Sequence, residues 1–388
     1  MSAMTTEVGA SPLLRAGNRY NLNELSGAFG DIGTLVPFVI AYLAIVKMDP
    51  CGVLLGFGGV MIVTGLWYRT PFPVQPMKAI GTAAAAATAG IAVTPAVVVG
   101  AGLVTATIWL ALGMTGLAKR LATMIPRPAL LGVILGLGFS FMLEGIRMMA
   151  QGVWVAAALM TFALVAHTRL PTMLVLLAAG FGIAIWSDPT LIARLAAIEP
   201  ALRVPAFAWP ALAPSDLWRG ALFLALPQVP LTFGNALIAI TSENNRLFPD
   251  RPVTERGVAI STGIANVFTS AVGGVPVCHG AGGMAGHVKF GARTGGATVM
   301  TGVLLVVLAL FFGDSMQTLL TFFPPPVLGV ILFLGGTELA LSSRDAAGDH
   351  VERFVLLATA AFAVMHVGCA VVFGILAYHA SKRKLIHP

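Results

Sequence analysis

Two short stretches, Pro73-Val74-Gln75-Pro76-Met77-Lys78 and Pro276-Val277-Cys278-His279-Gly280-Ala281-Gly282-Gly283, set polar side chains beside residues that interrupt helices. Proline lacks the N–H and clashes with the preceding turn, so Pro73 and Pro76 forbid a regular helix through Val74 and Gln75. A half-helix can start near Met77 and run through Ala79–Gly90; the second stretch reads as an extended approach to a half-helix over Ala281–Phe290. A helix N-terminus carries roughly +0.5 charge and N–H donors without partners, a natural anion site. Two such termini together with the ammonium of Lys78 sum to about +2, which suits a divalent oxyanion. Gln75, Thr34, Thr232 and Asn235 offer neutral hydrogen bonds, and His279 a further donor. Gly280, Gly282 and Gly283 let backbone N–H groups come close to oxygen atoms. The expected binding set is completed by Pro76, Met77, Cys278 and Ala281 on the broken stretches and by Gly30 and Asp31 in the first apolar run.

Several of these residues have a plainer reading. Lys78 could snorkel to the headgroups, although its place directly after the Pro-Val-Gln-Pro break favours the site. An unpaired carboxylate inside a membrane span is costly, so Asp31 either binds a coupling proton, pairs with Lys78 or caps a helix. If it neutralises Lys78, the charge sum falls to about +1. Cys278-His279 lacks the further His, Cys or carboxylate ligands that a metal needs, so no metal and no cofactor are expected. Glu144, Arg147 and Glu338 lie near span ends and read as salt bridges or interface anchors. The glycines of 52–65 read as close helix packing; they lack the GK[ST] ending of a phosphate loop.

The elements that must position these residues are membrane helices. The chain has 388 residues, of which 57% are hydrophobic and only 10% charged, with a mean hydropathy of +0.89. Soluble domains carry about 25% charged residues, so there are too few charges here to cover a water-facing surface. A soluble enzyme, a disordered chain and a nucleic-acid binder are excluded despite a net charge of +7. Three cysteines are too few for a disulfide framework. The polar stretch 1–23 lacks the apolar core and cleavage site of a secretory signal.

A crossing helix needs about 20 apolar residues. Candidate spans cover 25–46, 51–68, 95–117, 128–147, 151–167, 171–187, 219–241, 256–273, 295–313, 319–341, 353–366 and 368–380. With the two half-helices as segments 3 and 10, the expectation is an all-α polytopic membrane protein of about fourteen segments. With the N-terminus inside, seventeen Lys and Arg fall on the cytoplasmic side and five outside, Lys78 being left in the membrane. That bias is the positive-inside signal; it places both termini in the cytoplasm of a multi-pass protein of the cell (inner) membrane.

The two halves resemble each other. Phe29-Gly30-Asp31 recurs as Phe233-Gly234-Asn235, Pro73-Val74-Gln75 as Pro276-Val277-Cys278, and Leu131–Leu135 letter for letter as Leu328–Leu332, at offsets of 204, 203 and 197 residues. Seven elements per half is an odd number, so the expected 7+7 repeat is inverted, a signature of secondary transporters with interrupted helices. The expected layout is a tail at 1–24, repeats at 25–187 and 219–380, an external connection at 188–218 with a short helix at the interface, and a tail at 381–388.

FGDIGTLVP at 29–37, PFPVQPMKAI at 71–80, LPQVPLTFGNALIAI at 226–240 and VPVCHGAGGMAGHVKFGAR at 275–293 resemble the molybdate transporter family, a branch related to the SulP sulfate permeases. The resemblance runs from about Asn21 to Tyr378. It implies a core-plus-gate fold with the anion between segments 3 and 10, and high-affinity uptake of molybdate, with sulfate or tungstate as relatives. It also implies the absence of the cytoplasmic STAS domain of typical SulP permeases. Where SulP proteins often carry an acidic residue in segment 8, this chain has Asn235. The expected activity is secondary active import of a tetrahedral oxyanion, chiefly molybdate, by alternating access rather than catalysis. A sulfate, bicarbonate or nucleobase carrier of the same fold, or an anion channel, is the alternative. The expected partners are molybdate, or sulfate or tungstate in its place, and the lipid bilayer, with a coupling proton and a second copy of the chain (a homodimer) as further candidates and no nucleic acid.

Overall fold

The computed structural model describes residues 17–44, 46–78, 80, 93–166, 172–204, 212–341, 343, 349–365 and 367–383. The expected half-helix at Ala79–Gly90 therefore lies outside the described residues, apart from Ile80. Almost everything described is helical. Helix α1 (Leu22–Ala28) starts at Asn21, whose side chain accepts the N–H of Glu24 at 3.0 Å. The span expected over 25–46 is not continuous: the chain turns at Phe29–Asp31 and resumes as α2 (Ile32–Ala44). The physical reason is a backbone crossing. A Cβ on Gly30 would lie 2.7 Å from His287 N and against the carbonyl of Gly286, so two chains pass here with no room for a side chain.

Helices α3 (Pro50–Tyr68) and α4 (Pro95–Met114) both begin with proline at the first turn, capped by Asp49 and Thr94, where the missing N–H costs nothing. Then come α5 (Leu117–Ala122), α6 (Arg127–Met149), α7 (Val153–Ala166) and α8 (Thr172–Ser187). The short α9 (Thr190–Ala196) bends away from α8 by 109° and lies within the connection 188–218.

The second half opens with one unbroken helix, α10, over 214–247, longer at both ends than the expected 219–241. It widens to π-type winding at Gly220–Ala225 and Thr232–Ala239, an irregularity common at functional positions. The rest comprises α11 (Glu255–Ala271), α12 (Ala281–Lys289), α13 (Gly296–Phe312), α14 (Met316–Leu320), α15 (Pro325–Leu341), α16 (His350–Met365) and α17 (Val367–Lys382). The expected span 319–341 is split where Pro324–Pro326 cannot continue a helix.

The main packed pairs each join a helix from either half: α3 with α13, α4 with α11, and α6 with α15. Glycines set how close they come. A Cβ on Gly58 would lie 2.7 Å from the carbonyl of Gly302 and the reverse contact is the same; Gly145 and Gly329 mirror one another at 2.7 and 2.6 Å. The glycine strip of α3 is thus a packing surface, as its sequence suggests. Four helices (50–68, 95–114, 127–165 and 296–315) are long and apolar enough to cross a membrane by themselves, among the described residues. Trp154, Trp186 and Met365 are 85–89% exposed, apolar surface suited to lipid and costly in water.

Candidate functional site: a crossing of two broken segments

The two interrupted stretches meet. Gln75–Pro76 (β1) and Val277–Cys278 (β2) pair antiparallel, Gln75 opposite Cys278 and Pro76 opposite Val277, and Met77 N–H donates to the carbonyl of Pro276 at 3.0 Å. Asn266 of α11 fixes β2 from behind: its Nδ2 donates to Val277 O at 2.7 Å and its Oδ1 accepts Val277 N–H at 2.9 Å. Irregular backbone at this depth is tolerated because protein groups satisfy it. The crossing leads directly into α12, which starts just past it at Ala281.

Around the crossing, eight of the expected residues converge. Gln75 is fully buried; its Nε2 donates to Asp31 Oδ1 at 2.6 Å and to Thr34 Oγ1 at 3.1 Å. The Thr34 hydroxyl also reaches the Asp31 carboxylate and lies 2.9 Å from the Asp31 carbonyl. Asn235, in the widened part of α10, accepts the N–H of Ala281 at 3.2 Å. The glycines supply the wall. A Cβ on Gly280 would overlap Gln75 Oε1, one on Gly282 would overlap the Phe141 ring, and one on Gly283 would sit 2.6 Å from Asp31 Oδ2. These three positions admit no side chain.

Lys78 stands beside this wall, its Nζ 3.6 Å from the centre of the Phe141 ring, a cation–π distance. It lies within coulombic range of Asp31 and Cys278. A narrow cleft of only about 10 Å³ lies between Gly30, Asp31, Thr34, Phe141, Gly282 and Leu332. A larger cavity of about 260 Å³ also has Asp31 in its wall, lined by apolar residues such as Leu35, Met61, Leu305 and Phe323, with His287 and Thr301 the other polar residues on its wall. Asp31 therefore borders both.

Two expected residues turn elsewhere. His279 is buried with both ring nitrogens engaged: Nδ1 is 2.9 Å from the carbonyl of Pro73 and Nε2 is 3.1 Å from Ser261 Oγ. A carbonyl only accepts, so Nδ1 carries the proton and Nε2 accepts from Ser261. The ring also stands edge-on to Phe72 with centroids 5.0 Å apart. His279 thus ties the two broken stretches together. Thr232 accepts from Gln228 Nε2 at 2.8 Å within its own helix. Phe141 and Asn266 escaped the sequence reading. A phenylalanine in an apolar helix gives no signal of its own, but a lone asparagine in an apolar stretch does. Among the described residues, no group of three or more His, Cys, Asp or Glu could hold a metal.

The fold is similar to that of two solved membrane transport proteins. The transmembrane domain of a cyanobacterial bicarbonate transporter, BicA, is similar with a TM-score of 0.56 at 16% identity, over 92% of this chain and 96% of that one. Murine Slc26a9, an anion transporter in its inward-facing state, is similar with a TM-score of 0.61 at 12% identity, over 94% and 69%. At such identities the likeness is one of fold. The sequence narrows the class: residues 23–141 and 220–339 match the family described as "Molybdate transporter of MFS superfamily". Molybdate transporter 2 of Arabidopsis thaliana is 31% identical over 404 residues, covering 91% of this chain and 85% of its own. The chain belongs to the molybdate transporter family.

Proposed function

We propose that this protein is a secondary active transporter that imports molybdate, holding the dianion between Lys78 and the glycine wall at the start of α12. The observation that carries the reading is that wall: at Gly280, Gly282 and Gly283 backbone faces Gln75, Phe141 and Asp31 with no space for a Cβ. Within this turn Ala281 N–H goes to Asn235 and Gly283 N–H to Gly280 O at 3.0 Å. Gly280 and Gly282 supply the donors that a tetrahedral oxyanion would take, reinforced by the N-terminal dipole of α12. The relatives named as molybdate transporters support molybdate as the anion. The two broken stretches belong to a core that carries the site and moves against a gate, giving alternating access. Both termini lie in the cytoplasm, on the Lys and Arg bias of the connecting segments.

Phe141 both lines the narrow cleft and stacks on Lys78 Nζ, so it must swing aside when an anion enters. The reading is tested by uptake of molybdate into proteoliposomes under an imposed gradient, with sulfate and bicarbonate as competitors. Saturable, gradient-dependent accumulation of molybdate that sulfate displaces only at higher concentration is expected. Passive flux without accumulation would make the protein a channel, and stronger competition by bicarbonate than by molybdate itself would change the substrate.

A further inference from the structure

The side-chain amide of Gln75 faces two ways. Its Nε2 is spent on Asp31 and Thr34, while its Oε1, wholly buried, accepts nothing among the described residues and abuts Gly280. A bare acceptor pointed at the glycine wall is the wrong group for an oxyanion, which has only lone pairs to offer. An ionised carboxylate is acceptor-only, so an ionised Asp31 holds the amide this way round. A protonated carboxyl has an O–H to donate and favours the opposite orientation.

We propose that Asp31 and Gln75 form a relay that couples the uptake of a proton to the binding of the oxyanion, the Gln75 amide turning over when Asp31 is protonated. This inference rests on the transport reading above. The proton comes from the aqueous phase that supplies the anion and adds to Asp31 Oδ1. The new O–H donates to Gln75 Oε1, and Nε2 swings to the glycine wall as a donor for the anion. The Thr34 hydroxyl serves both states, donating to the Asp31 carboxylate in one and to Gln75 Oε1 in the other. On release at the opposite side the anion leaves, the proton returns to water and the amide turns back. No bond other than O–H is made or broken.

Three titratable groups lie near Asp31 among the described residues. Lys78 and Cys278 lie near it from the broken stretches, and His287 faces it from α12 with Nδ1 held 2.7 Å from the carbonyl of Gly27. An arriving dianion stabilises the Lys78 cation and repels the Asp31 anion, so Asp31 is the group that changes charge. Asp31 also forms part of the wall of the larger cavity.

The test is proton uptake measured with a pH indicator while molybdate is titrated into purified full-length protein in weak buffer. Wild-type protein should take up about one proton per anion, and affinity should rise as pH falls, by up to about tenfold per unit, because the bound form holds the extra proton. Asp31→Asn should bind molybdate with an affinity independent of pH and with no proton uptake. Gln75→Leu, which keeps the carboxyl and removes the amide, should bind more weakly and lose most of the pH dependence. Binding without proton uptake in wild type would overturn the relay and leave the transport reading standing. Full proton uptake persisting in Gln75→Leu would show that charge alone couples the two and would also overturn it. If Asp31→Asn does not fold, the wild-type and Gln75→Leu titrations decide. A wild-type protein that binds no molybdate at all would remove both the relay and the reading beneath it.

Discussion

Phe29-Gly30-Asp31 and Phe233-Gly234-Asn235 are matching motifs at an offset of 204 residues, yet they do different work on the same crossing. In the first half the motif sits at a break between two helices, and its acid takes a hydrogen bond from a side-chain amide, Gln75. In the second it lies inside a continuous, widened helix, and its amide takes a backbone N–H, that of Ala281. An asparagine neither titrates near neutral pH nor lets go of a buried N–H cheaply. The second half thus presents a fixed wall. The first presents a carboxylate and a rotatable amide, so the proposed relay belongs to the first half.

The sharpest way to break this comparison is to fill the wall. Gly280→Val should lower molybdate affinity by at least about a hundredfold, or ~2.7 kcal/mol, while inserting normally, because its branches occupy the space of Gln75 Oε1 and of the ligand; isothermal titration of purified protein checks it. Lys78→Met keeps length and removes the charge, and should cost ~2–3 kcal/mol, roughly thirty- to over a hundredfold in the dissociation constant. Lys78→Arg should be milder without being neutral, since a planar guanidinium needs different geometry. Asn235→Ala leaves the Ala281 N–H unpaired at ~1–3 kcal/mol; a lower melting temperature and weaker binding with an unchanged pH profile are expected, the mark of a fixed rather than a switching residue. Arg147→Ala removes an exposed pair with Glu144, 3.1 Å apart, and should move the melting temperature almost imperceptibly, within ~0.5 kcal/mol.

What the sequence disclosed was local. Pro73, Pro76 and the glycines after His279 interrupt helices whatever surrounds them, so both broken stretches were legible, as were the glycine packing of α3 and the Glu144–Arg147 pair. The break at Gly30 was not, because no proline marks it and its cause is the distant backbone of Gly286. The orientation of His279 was hidden for the same reason: its partners, Pro73 and Ser261, come from two other segments. Phe141 differs in no way from a lipid-facing phenylalanine until α6 is packed against the crossing. The first half-helix, on which half of the expected dipole rests, lies outside the described residues.

Molybdenum is heavy enough to locate itself. Anomalous diffraction from crystals of the protein grown with molybdate, recorded on either side of the molybdenum absorption edge, tests the position of the anion without any substitution. One peak is expected beside Lys78 Nζ and against the backbone of Gly280–Gly283, with the Phe141 ring displaced. A fully occupied peak elsewhere, with none at the crossing of β1 and β2, would contradict the assignment of this site.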